Sequence, residues 1–513
     1  MNKLIKNRGL LLSLGSLAVF SSCAQQQPQE AKKPNIVFIF ADDMGYGDVS
    51  ALNENSKIKT TNIDRIANEG VIFTDAHSSS SVSTPSRYSV LTGRYNWRSD
   101  LKSGVLMGYN KALIAPDRRT IASVLKDQGY QTACIGKWHL GWDWNNIEAG
   151  PDSVDFSKPI SNGPTTRGFD YFYGIIASLD MAPYVYVEND MPTALPDRVT
   201  VNDGMKYWRK GPTASDFDHE QTLPNFINRA VDYIYDKSKE DKPFYLYLPL
   251  PAPHTPILPI KEFQGKSGLN PYGDFVLMVD DMVGKVMKAL KDAGVDDNTI
   301  LVFSTDNGCS PQAKFDELQE KGHYPSYIYR GHKADLFDGG HRIPCVVRWP
   351  AQVKPHTVSQ TVCLTDFFAT FAAVADYQLK DSEGEDSYNI LPLLLNEKES
   401  NVIREATVHH SINGDFTIRK GEWKLLLSPG SGGWSFPRPG TDDDVIKTLP
   451  LVQLYNMKDD PAETKNVYAE HPEIVKELKE LMIKYVREGR STPGVPQKND
   501  GPEVWKQLSW IEE

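Results

Sequence analysis

Residues 34–47 read Pro-Asn-Ile-Val-Phe-Ile-Phe-Ala-Asp-Asp-Met-Gly-Tyr-Gly. A short, unbroken apolar run of this length suits a strand buried on both faces of a parallel sheet. It ends on two acids, Asp42 and Asp43, and residues just past a strand's carboxyl end lie where open α/β sheets bind ligands. The same grammar recurs downstream. Thr299 to Ser304 reads as a strand followed by Thr305-Asp306-Asn307-Gly308, and Gln131 to Gly136 as one followed by Lys137-Trp138-His139-Leu140-Gly141. Pro243 to Leu250 is a further strand, ending near Pro253-His254, and Pro344 to Trp349 a shorter one.

Helical patterns alternate with these strands. Thr61 to Glu69 places Ile63, Ile66 and Ala67 on one face. Thr120 caps a helix running through Asp127 that Gly129 ends. Leu223 to Lys239 and Pro271 to Ala293 are longer helices. The pattern predicts an α/β fold with a largely parallel sheet sandwiched by helices. After Gly384 the character changes. Ala406–Ile412, Phe416–Arg419, Trp423–Leu427 and Gln453–Met457 read as antiparallel strands, and Glu473–Arg487 as an amphipathic helix. This predicts a catalytic region over 34–384 and a smaller α+β subdomain over 385–513. The Pro/Gly/Ser-rich run Ser428–Gly440 reads as a loop able to line a site.

The composition is that of a globular chain. With 513 residues, 40% hydrophobic and 24% charged, wholesale disorder, a collagen-like fibre and a polytopic membrane protein are excluded. Lys plus Arg is 56 and Asp plus Glu is 67, a net charge of −11, which argues against nucleic acid as a partner. Lys3, Lys6 and Arg8 precede the apolar run Leu10–Phe20, then Ser21-Ser22-Cys23 and a Gln/Pro/Lys-rich stretch to Lys33. This reads as a signal peptide over 1–23, of lipoprotein type with Cys23 as the lipidated residue, and a linker over 24–33, the alternative being a secreted protein cut nearby with Cys23 discarded. The run is too short to span a bilayer, so membrane attachment would be by lipid anchor only. The expected location is the periplasm or cell surface, anchored to the outer membrane. The remaining cysteines, Cys134, Cys309, Cys345 and Cys363, do not have zinc-site spacing. One or two disulfides are open to them, but buried thiols are expected.

Asp42, Asp43, Asp306 and Asn307 offer three carboxylates and an amide oxygen, a donor set for a hard cation such as Ca²⁺ or Mg²⁺. Taken alone, a strand-end acidic pair is usually a cap or turn, and a serine in a serine-rich loop a turn residue. The segment Ser83-Thr84-Pro85-Ser86-Arg87, followed by Leu91-Thr92-Gly93-Arg94, alters that balance. Together with Asn35–Gly45, Gly136–Gly141, Pro253-His254-Thr255-Pro256, Thr305–Gly308 and Arg330–Pro344, it resembles the type I, formylglycine-dependent sulfatases of the alkaline-phosphatase-like superfamily, in their serine version.

The resemblance implies an alkaline-phosphatase-like fold and a sulfuric ester hydrolase. Ser83 would be oxidised to formylglycine by a radical-type maturase. Asp42, Asp43, Asp306, Asn307 and the modified Ser83 would hold one Ca²⁺. Arg87 would support the formylglycine hydrate, Lys137 and His139 would contact hydrate and sulfate oxygens, and His254 and Lys333 would bind sulfate and assist the leaving group. Chemically, cations offset the charge of a sulfate ester as it shifts in the transition state. A hydrated aldehyde offers one hydroxyl to attack sulfur and a second whose deprotonation expels sulfate. Asp306 is the expected base, and either His254 or Lys333 the acid. His341, in Gly339-Gly340-His341-Arg342, is as readily a turn contact.

Substrate choice should lie in loops between the shared motifs. Asp180, with Ser178, and His219 could meet sugar hydroxyls. The subgroup resemblance points to 6-O-sulfate on galactose or N-acetylgalactosamine in host or algal glycans, with 4-O- and 3-O-sulfate next. A phosphodiesterase or phosphonate hydrolase of the same superfamily and a non-catalytic glycan-binding lipoprotein are the rival classes.

Overall fold

The computed structural model describes residues 32–397 and 401–511. The expectations for the signal segment and Cys23 therefore lie outside the described residues. A ten-stranded sheet forms the centre. Asn35–Ala41 lies in its middle, parallel to Phe244–Pro249 on one side and to Thr299–Thr305 on the other. Gln131–Lys137 and Tyr171–Ile175 extend the parallel set. Cys345–Arg348 runs antiparallel to Thr299–Thr305, and Val71–Phe73 pairs with it in turn. The central strands are sealed because both of their faces are covered. Every residue from Ile36 to Ala41 is buried, as are all of Thr299–Thr305 and Phe244–Pro249.

Two helix groups cover the sheet. Thr61–Asn68, Thr222–Lys237 and Pro271–Asp292 form one, and Ser83–Thr92, Ile121–Asp127 and Asp366–Val374 the other. The second group meets the sheet through aromatics: Phe38 lies 5.2 Å from Phe367 and 6.3 Å from Phe371, centroid to centroid. The Thr120 cap forms as expected, its side chain accepting from Ser123 N. All four described cysteines are buried free thiols, which corrects the option of a disulfide among them. No helix among the described residues is long and apolar enough to cross a membrane.

The four expected C-terminal strands form one antiparallel sheet: Thr407–His410, Phe416–Lys420, Trp423–Leu426 and Gln453–Asn456. Helix Pro472–Glu488 covers it with Leu478, Met482 and Tyr485. This second core also takes in Tyr95 and Trp97 from the first part of the chain. A bidentate ion pair fastens that junction. Arg98 Nε and Nη2 each donate to Asp386 at 2.8 Å, and Nη1 donates to the Tyr485 carbonyl at 2.8 Å. Three elements carry no clear sequence pattern: the Pro196–Asn202 and Trp208–Ala214 hairpin, the Tyr171–Ile175 strand and the Ser83–Thr92 helix.

Removing one member of a fully buried ion pair strands the other charge. Arg98→Ala should therefore destabilise the protein by about 3–5 kcal/mol, and Arg98→Lys should restore only part of the loss because the planar fork is gone. Denaturant unfolding measures this; an unchanged midpoint for Arg98→Ala would contradict the role.

Candidate active site

Four strand ends converge. Asp42 and Asp43 directly follow Asn35–Ala41, Asp306 and Asn307 follow Thr299–Thr305, Lys137 closes its own strand, and His254 lies just beyond Phe244–Pro249. Asp43 sits in the left-handed region at φ 65°, which short polar residues tolerate. It is held there by its backbone N–H, which donates to Asp306 Oδ1 at 3.1 Å, and by Met44 N donating to Thr305 Oγ1 at 3.2 Å. Gly136 is required before Lys137: at φ 136° a Cβ there would lie 1.9 Å from the Pro249 carbonyl oxygen.

Three carboxylates meet three cations in this space, all buried. Lys137 Nζ donates to Asp42 Oδ2 at 2.6 Å. Arg87 Nη2 donates to Asp306 Oδ2 at 2.8 Å and lies 3.5 Å from Asp42 Oδ1. Lys333 Nζ reaches Asp43 Oδ1 at 2.7 Å and Oδ2 at 2.8 Å. Burial by itself would raise Asp42, but the Lys137, His254 and Arg87 charges hold its carboxyl far below the usual range. Burial pulls Lys137 down against the pull of Asp42. For Lys333, Asp43, Asp42 and Asp306 outweigh burial and raise it.

Ser83 faces this lattice from the first position of the Ser83–Thr92 helix, every residue of which is buried. Its Oγ donates to Asp42 Oδ1 at 3.3 Å, and Lys137 Nζ donates to it at 3.4 Å. That partner differs from the expected base. Both oxygens of Asp306 are already engaged, by Arg87 and by the Asp43 N–H, so Asp42 is the carboxylate that meets the hydroxyl.

The donors also fit a hard divalent cation. Asn307 donates from Nδ2 to Asp43 Oδ1 at 2.7 Å, while its Oδ1 is buried without a partner. Asp42, Asp43 and His254 bring three possible ligand atoms within 4.8 Å of one another. The Asp42 and Asp43 carboxylates and the Asn307 Oδ1 are oxygen donors of the kind that suits calcium or magnesium, whereas His254 would offer a nitrogen.

On the open side, His254 Nε2 stands 3.6 Å from Asp43 Oδ2, and its Nδ1 is bonded to the Thr255 carbonyl and 4.0 Å from Asp180 Oδ1. Asp180 is 6% exposed, and that Oδ1 has no hydrogen-bond partner. Its Oδ2 is held by Arg209, which sequence reasoning missed because nothing in the hairpin that carries it signals a site. Ser178 Oγ is likewise buried and unpartnered. His139 Nε2 bonds the Leu106 carbonyl at 2.8 Å, leaving Nδ1 free. Burial, with Lys137 and Arg87, pushes His139 well below the ordinary histidine range, so its ring is neutral. His219 is set back among aromatics, stacked on Trp208 at 3.9 Å and 4.5 Å from Tyr184. Burial pushes it down to about 3, and its Nε2 has no partner.

His341 belongs elsewhere. Its Nε2 bonds the Leu336 carbonyl at 3.0 Å, and its ring stacks on His409 at 4.0 Å and 8°. Its Nδ1 lies 3.0 Å from His77 Nδ1, and His77, His341 and His409 bring possible ligand atoms within 4.8 Å of one another.

Comparison with known proteins agrees with this geometry. The sulfatase family model matches residues 34–377. The chain is 36% identical to an N-acetylgalactosamine-6-O-sulfatase of Bacteroides thetaiotaomicron, over 92% of this chain and 98% of that protein. It is 30% identical to human arylsulfatase A, over 93% and 90% of the two chains. A solved structure described with the metabolism of multiple glycosaminoglycans by Bacteroides thetaiotaomicron superposes with a TM-score of 0.77 at 34% identity, covering 88% of this chain and 99% of that one. With its strand-end carboxylates, its Ser83-Thr84-Pro85-Ser86-Arg87 helix start and its mixed sheet, the chain belongs to the sulfatase family and is a sulfuric ester hydrolase.

Proposed function

We propose that this sulfatase removes 6-O-sulfate from N-acetylgalactosamine or galactose residues of host or algal glycans. The observation that carries the reading is the meeting of Ser83 Oγ with Asp42 and Lys137, with the unpartnered oxygen of Asp180 lying 4.0 Å from His254 Nδ1. The N-acetylgalactosamine-6-O-sulfatase relative supports the choice of sugar and position. The reading includes an exported, lipid-anchored protein in the periplasm or at the cell surface, divided near 384/385.

Formylglycine at position 83 would supply a hydrated aldehyde, with one hydroxyl to attack sulfur and a second to release sulfate. Ca²⁺ held by Asp42, Asp43, Asp306 and Asn307, with position 83, would supply positive charge beside the sulfate oxygens. The chain's own side chains do the rest. Asp42 Oδ1 receives the proton of the attacking hydroxyl, and Arg87 pairs with Asp306 at 2.8 Å and lies 3.5 Å from Asp42. Lys137 Nζ holds the oxygen at position 83. His139, neutral and fixed by Leu106, accepts the second proton at Nδ1. Lys333 is committed to Asp43 by two short contacts, so His254 is the donor to the leaving alcohol. Asp180, held by Arg209, takes a sugar hydroxyl on Oδ1. Because Ser83 is 1% exposed, the radical-type maturase has to reach it before the Ser83–Thr92 helix docks.

Sulfate release from 6-O-, 4-O- and 3-O-sulfated N-acetylgalactosamine and galactose by matured protein tests the reading. Release from the 6-O-sulfated sugars, abolished in Ser83→Ala, is expected. Hydrolysis of phosphodiesters to phosphomonoesters in preference to any sulfate ester would overturn it. Asp180→Asn should lower kcat/KM about 10- to 100-fold, the size of a lost charged hydrogen bond. An unchanged value would remove Asp180 from the sugar site. Chelation should abolish activity and lower Tm, with Ca²⁺ restoring both; an unaffected chelated enzyme would contradict the metal assignment.

A further inference from the structure

Below the strand-end carboxylates lies a fully buried acid that the reaction does not use. Asp48 follows the Asp43-Met44-Gly45 loop and is 0% exposed. Its Oδ2 accepts from Gly45 N at 2.7 Å and from the Tyr272 hydroxyl. Its Oδ1 accepts from His323 Nε2 at 2.8 Å. The tautomer of His323 is set from behind, because its Nδ1 accepts from Lys57 N at 3.3 Å and the ring proton therefore sits on Nε2. The Tyr272 hydroxyl also lies 3.4 Å from the Asp43 carbonyl oxygen, so one tyrosine touches both Asp48 and the left-handed Asp43.

The loop between these points is closely packed by backbone. A Cβ on Gly45 would lie 2.2 Å from the Pro325 carbonyl oxygen, and one on Gly47 would lie 2.0 Å from that of Tyr324. Asp48 therefore grips the loop from inside while the 324–327 backbone closes it from outside. The electrostatics point the same way. Asp42, Asp43 and Asp306 are matched by Lys137, Lys333 and Arg87. Among the described residues, His323 is the one ion-pair partner found for Asp48. A buried carboxylate held by a hydroxyl, an amide and an imidazole leaves negative potential directed at its surroundings, and the Tyr272 hydroxyl links it to the Asp43 backbone.

We propose that Asp48, with Tyr272 and His323, is a positioning residue for the divalent cation: it holds the backbone that aims Asp43 and adds the negative charge that the inner lattice has already neutralised. The inference rests on the reading in which Asp42, Asp43, Asp306 and Asn307 bind Ca²⁺. It goes beyond that reading by assigning control of affinity to residues that touch neither metal nor substrate.

The test uses the full chain, stripped of metal and titrated with Ca²⁺ alone by calorimetry, with thermal unfolding of each calcium-free form as the control. Outer-sphere partners of ligands typically tune metal affinity about 10- to 100-fold. Asp48→Asn, which removes the charge, should weaken Ca²⁺ binding by about that factor. Tyr272→Phe, which removes one donor and leaves the charge, should weaken it less and leave the calcium-free Tm close to wild type. If Asp48→Asn does not fold, Tyr272→Phe decides. Wild-type affinity in Tyr272→Phe and in a folded Asp48→Asn overturns the proposal, as does a loss of affinity matched by an equal loss of calcium-free stability. Wild-type protein that binds no Ca²⁺ would instead remove the metal reading itself, so the two failures are distinguishable.

Discussion

Six buried charges govern this structure: Asp42, Asp43 and Asp306 against Arg87, Lys137 and Lys333. In a low-dielectric interior none of them is tolerable alone, and removing one exposes its partner to the full cost of an unpaired ion. The strand ends must therefore arrive together, and the sheet that brings them is built to do so. Its middle strands are apolar on both faces, so the polar groups are confined to the carboxyl ends. The lattice is also what makes Ser83 more than a turn serine, since Asp42 and Lys137 meet its hydroxyl from two sides.

The C-terminal sheet takes part in that arrangement. Ser80 bridges to His410, and Ser81 N donates to the His410 carbonyl at 3.1 Å, so the first strand of the small sheet braces the loop that delivers Ser83. On the other side Ala334 N donates to the Ser81 carbonyl at 2.8 Å, next to Lys333. The positions of Ser83 and Lys333 are thus tied to one hydrogen-bonded seam running between the two sheets. The tie between Arg98 and Asp386 secures the same junction farther out.

What could be read from the sequence was whatever depends on a local pattern. The double-sided strands, the Thr120 cap and the four C-terminal strands carry their own periodicity, and their bounds agree within a few residues. Asp42, Asp43, Asp306, Asn307, Lys137, His254 and Lys333 were legible as motif residues and do converge. The partner of Ser83 was not legible: whether Asp42 or Asp306 meets the hydroxyl depends on how side chains divide the available donors across neighbouring strand ends, which spacing does not encode. Arg209 was invisible for another reason. Its hairpin mixes Pro196, Gly211 and Pro212 with exposed Val199 and Val201, so its apolar residues do not mark the buried face and it carries no motif. His219 illustrates the converse. It lies in the expected region, but its ring is packed among Trp208, Tyr184 and Phe217.

The account stands on the identity of the group at position 83. The direct measurement is the mass of the peptide carrying residue 83, taken from enzyme that is releasing sulfate. The account predicts a peptide lighter than the serine form by two hydrogens, as an aldehyde requires, in proportion to the specific activity across preparations made with and without the maturase. Full activity from a preparation in which Ser83 is entirely unmodified would contradict it.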